Sequence, residues 1–111
     1  QSDYISVHCP LTAQTHHIVN EDVLRAMKKT AFLINTSRGA TVDTEALYRA
    51  CRDGEIAGAA IDVTEQEPLP ADSPLRTLSN LIITPHIAWY TEEAIATLKE
   101  KLAQEIIRRN R

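Results

Sequence analysis

Four short apolar and β-branched runs do most to constrain what this chain can become. They lie in "DYISVHC", "AFLINTSRG", "AGAAIDV" and "LIIT". None reads as a regular alternation of apolar and polar residues. Short strands that are apolar throughout suit a parallel sheet with helices laid over both faces. The first run reads as a strand over about residues 4–8, ending at Cys9-Pro10, and the second is apolar through Ile34.

The segments between these runs carry helix signals. Asn20 is placed to cap "EDVLRAMKK", with Glu21 and Asp22 in the first turn, Lys28 and Lys29 in the last, and Val23, Leu24 and Met27 on one apolar face. Asp43 is placed to cap "TEALYRACRD", and Gly54 lies where a glycine ends a helix. "TEQEPLPADSPLRTLSN" holds three prolines and reads as a loop. Thr91 caps a last helix whose apolar side is Ile95, Leu98, Leu102 and Ile106. The order β-α-β-α-β-loop-β-α predicts an α/β fold, a doubly wound, Rossmann-type parallel sheet.

Several classes of function fall away. A net charge of −3 makes no electrostatic case for nucleic acid, and the tail "RRNR" reads as a solvated helix end. No apolar run approaches the ~20 residues of a membrane span. "QSDYIS" lacks the basic flank and apolar core of a secretion signal. Cys9 and Cys51 have no metal-ligand spacing, so no metal site is expected, and two reduced thiols fit a cytoplasmic protein.

Each strand is followed by a polar cluster: His8 to Thr12, Asn35 to Gly39, Asp62 to Glu67, Pro85 to Trp89. All four clusters sit at carboxyl ends of strands, where open parallel sheets bind ligands. Arg38 offers a two-pronged grip on a carboxylate. His86 offers a proton near neutral pH, and a carboxylate such as Asp62 or Glu67 can orient its ring. Together they suit chemistry at a carbon next to a carboxylate, as in a 2-oxo or 2-hydroxy acid. Taken singly, each has a plainer role: Arg38 as a turn residue, Glu67 as a solvated acid, His86 as a structural histidine, Trp89 and Tyr90 as packing. Asp62 is harder to set aside, because a buried acid needs partners.

"NTSRGATVDTEAL", "GAAIDVTEQEPLP" and "NLIITPHIAWYT" resemble, in order and spacing, the nucleotide-binding domain of the D-isomer-specific 2-hydroxyacid dehydrogenases. That family includes phosphoglycerate, glyoxylate/hydroxypyruvate and D-lactate dehydrogenases. The "PHIAWYTEEA" form is most similar to the branch holding the C-terminal binding proteins, which are corepressors; an NADH-responsive corepressor is therefore the alternative function. The resemblance implies NAD as cofactor, with NADP left open, a small 2-hydroxy or 2-oxo acid as substrate, and a homodimer of the full-length protein. It implies that Arg38 grips the substrate carboxylate, that His86 is the acid/base and that Glu67 partners it. Cys9, Pro10, Leu11 and the loop to Thr15 match the adenosine and phosphate side of the cofactor site. Thr36, Ser37 and Arg38 match the turn beside the nicotinamide ribose. Asp62 matches the acid that holds the carboxamide. The resemblance implies that His86 and Ala88 pass near the nicotinamide and that Trp89 forms a wall for the substrate side chain. The pair His16-His17 looks like a family surface feature and is assigned no chemistry.

The family's glycine-rich phosphate turn has no counterpart among Gly39, Gly54 and Gly58. Residues 1–111 are thus expected to be the second half of a dinucleotide-binding domain from a longer chain, with 91–111 a helix leading back towards a substrate domain. Alone, such a piece is expected to bind NAD weakly or not at all and to turn over no substrate.

Overall fold

The computed structural model describes residues 2–110; Gln1 and Arg111, inside the expected domain bounds, lie outside the described residues. Strand β1 (Tyr4–Val7), helix α1 (Glu21–Ala26), β2 (Phe32–Asn35), α2 (Thr44–Arg52), β3 (Gly58–Ile61), β4 (Leu81–Ile83) and α3 (Glu92–Arg109) follow in the expected order. Short 3-10 turns lie at Gly39–Thr41 and Pro74–Thr77.

All three expected caps form. The side chains of Asn20, Asp43 and Thr91 accept the backbone N–H of Val23, Ala46 and Ala94 at 3.1, 3.0 and 3.0 Å. Each satisfies an orphan donor and stabilises its helix by about 1 kcal/mol. Gly54 takes the left-handed conformation (φ 69°) just past Asp53, the C-cap of α2. Helix α1 is shorter than expected. Met27 turns extended and packs against the core, so Lys28 leaves the helix and pairs with Asp3 at 2.9 Å. The basic residue of the last turn is Arg25 instead. His8 falls outside β1, its Nε2 lying 2.8 Å from Ser6 Oγ.

The four strands form one parallel sheet in the order β1-β2-β3-β4. Register places Ile5, Leu33, Ala59 and Leu81 in one row across the sheet, and Val7, Asn35, Ile61 and Ile83 in another two residues on. These rows share a face, because side chains alternate along a strand. Leu24 of α1 and Leu47 of α2 pack on that face with Val7, Leu33, Ala59 and Ile61 as the core.

The other face departs from expectation. It carries no helix among the described residues, and Tyr4 (67%), Phe32 (40%) and Ile82 (66%) are exposed there. The reason is handedness. Both β-α-β crossovers step the same way along the sheet, so right-handed connections put both helices on one side. Helix α3 also stays out of the core. None of its residues is buried, and Leu98, Leu102 and Ile106 of its apolar side face solvent. Among the described residues, no helix is long and apolar enough to cross a membrane.

Candidate active site

The carboxyl ends of β2 and β3, and the turn after β4, carry the candidate residues. β2 ends in Asn35, 1% exposed, whose amide organises the next turn. Asn35 Nδ2 donates to the Arg38 carbonyl at 3.0 Å, and its Oδ1 accepts the N–H and hydroxyl of Ser37 at 3.1 and 2.9 Å. Thr41 Oγ1 donates to the same Arg38 carbonyl at 2.6 Å. Arg38 is thereby fixed through its backbone. Its exposed guanidinium makes one hydrogen bond, to Ser37 O at 2.8 Å, and no ion pair among the described residues.

Asp62 follows β3 directly and is buried at 5% exposure. Its Oδ1 accepts the Thr84 hydroxyl at 2.5 Å and the Ile87 N–H at 2.9 Å; its Oδ2 accepts the Ala88 N–H at 2.9 Å. Burial opposes the charge, but these donors outweigh it and hold the carboxyl below its usual range. The carboxylate therefore props up the turn over residues 84–88. That turn puts His86 in the left-handed region (φ 57°), an uncommon place for a residue with a side chain. The His86 N–H donates to Asp62 O at 2.9 Å.

So mounted, His86 Nδ1 lies 2.8 Å from Glu67 Oε2. Glu67 Oε1 accepts the Thr64 N–H at 3.1 Å. The His86 hydrogen bond, then the Thr64 N–H, lower the Glu67 pKa. His86 Nε2 has no hydrogen-bond partner among the described residues. Asp62, Glu67 and His86 line a cleft of about 330 Å³, with Leu69, Arg76 and Ile83 among its other walls. Trp89 Nε1 donates to His86 O at 2.9 Å, and its half-exposed ring meets Tyr90 edge-on.

Glu67, His86 and Asp62 are thus brought together, with Ala88 and Trp89 tied to the same turn by hydrogen bonds. Arg38 lies outside the cleft. Its link is Gly39, where an added Cβ would fall 2.1 Å from the carbonyl carbon of Thr64; the arginine turn presses on the strand exit that carries Glu67. Thr36 is exposed and Ser37 half-buried beside it. In the loop after β1, Cys9 is half-buried, Pro10 and Leu11 are exposed, and Thr15 Oγ1 donates to Pro10 O at 2.6 Å. Asn35, Thr41 and Thr84 are supports that sequence reasoning did not single out. A polar residue closing an apolar strand was the available signal for Asn35 and Thr84.

One group of metal-ligating atoms lies within 4.8 Å among the described residues: His16, His17 and Glu65. The two imidazoles stack at 4.0 Å with planes 25° apart, so their lone pairs lie in nearly parallel planes and do not converge on one ion.

Residues 1–88 match the family model described as "D-isomer specific 2-hydroxyacid dehydrogenase, NAD binding domain". The chain is 54% identical over 107 residues to a glyoxylate reductase of Thermofilum pendens, covering 96% of this chain and 32% of the relative. It resembles the solved D-lactate dehydrogenase of Aquifex aeolicus complexed with NAD and lactic acid, at 39% identity and a TM-score of 0.83, over 95% of this chain and 36% of that one. It also resembles a D-isomer-specific 2-hydroxyacid dehydrogenase of Xanthobacter autotrophicus in complex with NADPH, at 44% identity and a TM-score of 0.75, over 78% and 28%. The chain thus spans about a third of the curated relatives it matches. These relatives are named as reductases and dehydrogenases, which gives the corepressor alternative no support.

Proposed function

The chain belongs to the D-isomer-specific 2-hydroxyacid dehydrogenase family, and from that premise we propose that it is the second half of an NAD-binding domain whose full protein interconverts a D-2-hydroxy acid and its 2-oxo acid. The observation that carries this reading is the His86–Glu67 pair at 2.8 Å, mounted over buried Asp62 at the edge of a parallel sheet where ligands bind.

The residues suit one end of a dinucleotide. Asp62 Oδ2 takes a single N–H and keeps capacity for a carboxamide donor. By the family match, Thr36 and Ser37 form the turn beside the nicotinamide ribose, Ala88 passes near the nicotinamide, and the loop from Cys9 through Pro10 and Leu11 to Thr15 runs along the adenosine and phosphate side. None of the three glycines is free to line a phosphate cradle among the described residues, which supports the half-domain reading: Gly39 is pressed on Thr64, Gly58 on Asn80, and Gly54 closes α2. The cofactor in the family description would supply the hydride as NADH for reduction and accept it as NAD+ in oxidation; titration with NADH and NADPH decides between the two. Arg38, with one backbone bond on its guanidinium, grips and orients the substrate carboxylate. His86 Nε2 gives a proton to the forming alkoxide and takes it back in oxidation. Glu67 holds the ring through Nδ1 and fixes its orientation. Trp89, anchored at the His86 carbonyl, walls the substrate side chain.

Glyoxylate is the first substrate to try, because the Thermofilum relative is named for it. A phosphoglycerate-dehydrogenase-like substrate is the next. Residence in the cytoplasm is supported by two free cysteines. The homodimer rests on the family resemblance, and sedimentation of the full-length protein tests it. The central experiment is NADH oxidation by the full-length protein with glyoxylate and larger 2-oxo acids. Absence of turnover with every 2-oxo acid, with either nicotinamide cofactor, overturns the reading. For the 111-residue chain alone, calorimetry is expected to show weak or no NAD binding; micromolar affinity contradicts the half-domain assignment.

A further inference from the structure

Three loops meet on one carboxylate that the reaction does not use. Glu65 Oε1 accepts the N–H and the hydroxyl of Thr44 at 2.9 and 2.7 Å. Its Oε2 lies 3.0 Å from His17 Nε2. Thr44 opens α2, just after the turn that carries Arg38. His17 lies in the loop between β1 and α1, downstream of Cys9 to Thr15. Glu65 itself stands two residues before Glu67.

Backbone bonds tighten the same junction. His17 N–H donates to Ala40 O at 2.8 Å, Val19 N–H to Thr41 O at 3.0 Å, and Asp43 N–H to Val19 O at 3.0 Å. His17 takes the left-handed conformation (φ 50°) to reach Glu65, and its Nδ1 faces Asp43 at 3.8 Å. At Gly39, a Cβ would fall 2.1 Å from Thr64 O and 2.5 Å from Glu65 N. The arginine turn and the glutamate loop are therefore in backbone contact at the point where Glu65 binds. Burial works against the Glu65 charge, but hydrogen bonds from Thr44 and His17 prevail, so its carboxyl titrates below the ordinary range.

We propose that Glu65 is a positioning residue, clamping the loops after β1, β2 and β3 so that Glu67 holds His86 in register with Arg38. The effect on turnover rests on the dehydrogenase reading above; the clamp itself does not. Both carboxylate oxygens are committed to hydrogen bonds, and the stacked histidines offer no converging lone pairs, so the cluster acts through hydrogen bonding and not through a metal. The chemistry also says which replacement should serve. A glutamine at this position can accept from Thr44 and donate to a neutral His17 ring, whereas alanine can do neither.

The test uses the full-length protein. With Glu65→Ala, kcat for 2-oxo acid reduction is expected to fall roughly tenfold to a hundredfold, the scale of a small misplacement of reacting groups. KM for the oxo acid should change much less, because the Asn35 cage still holds Arg38. Glu65→Gln should restore kcat to within a few-fold of the wild type. Amide hydrogen exchange over residues 62–68 should quicken on the order of tenfold in Glu65→Ala and not in Glu65→Gln. An active wild type whose Glu65→Ala form keeps its kcat overturns the proposal and leaves the dehydrogenase reading standing. An inactive wild type overturns the dehydrogenase reading; the clamp then stands if exchange over 62–68 quickens in Glu65→Ala, and falls if it does not.

Discussion

Two histidine–glutamate pairs stand side by side on this molecule, and the roles proposed for them differ. His17–Glu65 and His86–Glu67 are spaced at 3.0 and 2.8 Å, and both histidines have left-handed backbones. Their side chains differ little in exposure: 32% and 31% for the first pair, 42% and 39% for the second. The difference lies in what else each pair holds. Glu65 also binds Thr44, and the His17 ring has Asp43 beside its other nitrogen and His16 stacked on it. His86 keeps its second nitrogen without a partner among the described residues and lines the cleft. A histidine–carboxylate pair is thus not in itself a reactive one. On the proposed reading, a nitrogen left open towards the cleft separates a proton-transfer group from a strap.

The sharpest way to break that comparison is to remove His86. In the full-length protein, His86→Ala is expected to cut kcat by about a thousandfold, the usual scale for losing a general acid/base, with NAD affinity little changed. Equal loss of both, read by steady-state kinetics and calorimetry, assigns His86 a structural role and erases the contrast with His17. Next in size is Glu67→Gln, which keeps the shape but not the charge behind His86. A fall in kcat on the order of a hundredfold, the lower end of what acid–base catalysis contributes, is expected; turnover at wild-type rate makes Glu67 a spectator.

Asp62→Ala probes the platform beneath the His86–Glu67 pair. It leaves the Ile87 and Ala88 N–H groups and the Thr84 hydroxyl without their acceptor, at a cost of roughly 1–3 kcal/mol in stability by chemical denaturation. His17→Gln should be milder. One net hydrogen bond is worth ~1 kcal/mol, so kcat should change by about fivefold or less. A loss matching that of His86→Ala would show that the two pairs are equals.

The smallest expected effect is in pH. Both Glu65 and Glu67 have folded pKa values below the ordinary carboxyl value. A depressed carboxyl stabilises the fold above its unfolded pKa of about 4.3, and that contribution fades as pH falls through the lower folded value. Exchange over residues 62–68 should therefore stay nearly constant from pH 6 to 5, after correction for intrinsic rates, and quicken only below about pH 4. Loosening already at pH 5 would contradict the hydrogen-bonded carboxylates.

Much of the frame was legible in the sequence. The strand–helix order, the three capping residues and the glycine after α2 depend on neighbours three or four positions away. Asp62 stood out because an acid closing an apolar strand demands partners. The outer edges of elements were less legible. α1 stops short because Met27 is drawn to the core, which no local signal announced. The exposed face at Tyr4, Phe32 and Ile82 follows from crossover direction, a property of the whole sheet.

What the sequence determined by itself was chemistry in outline: which residues are acids, bases and cations, and that they gather where strands end. Residue chemistry left both Asp62 and Glu67 open as partners of His86, and the family resemblance pointed to Glu67. The tertiary structure shows the pairing itself: Glu67 holds Nδ1, while Asp62 faces the turn and not the imidazole. His17 and Glu65 are 48 residues apart and had no shared signal, yet they meet. Hydrogen bonds select partners by distances of a few ångströms, and only the packed sheet brings groups so far apart in the chain within that reach.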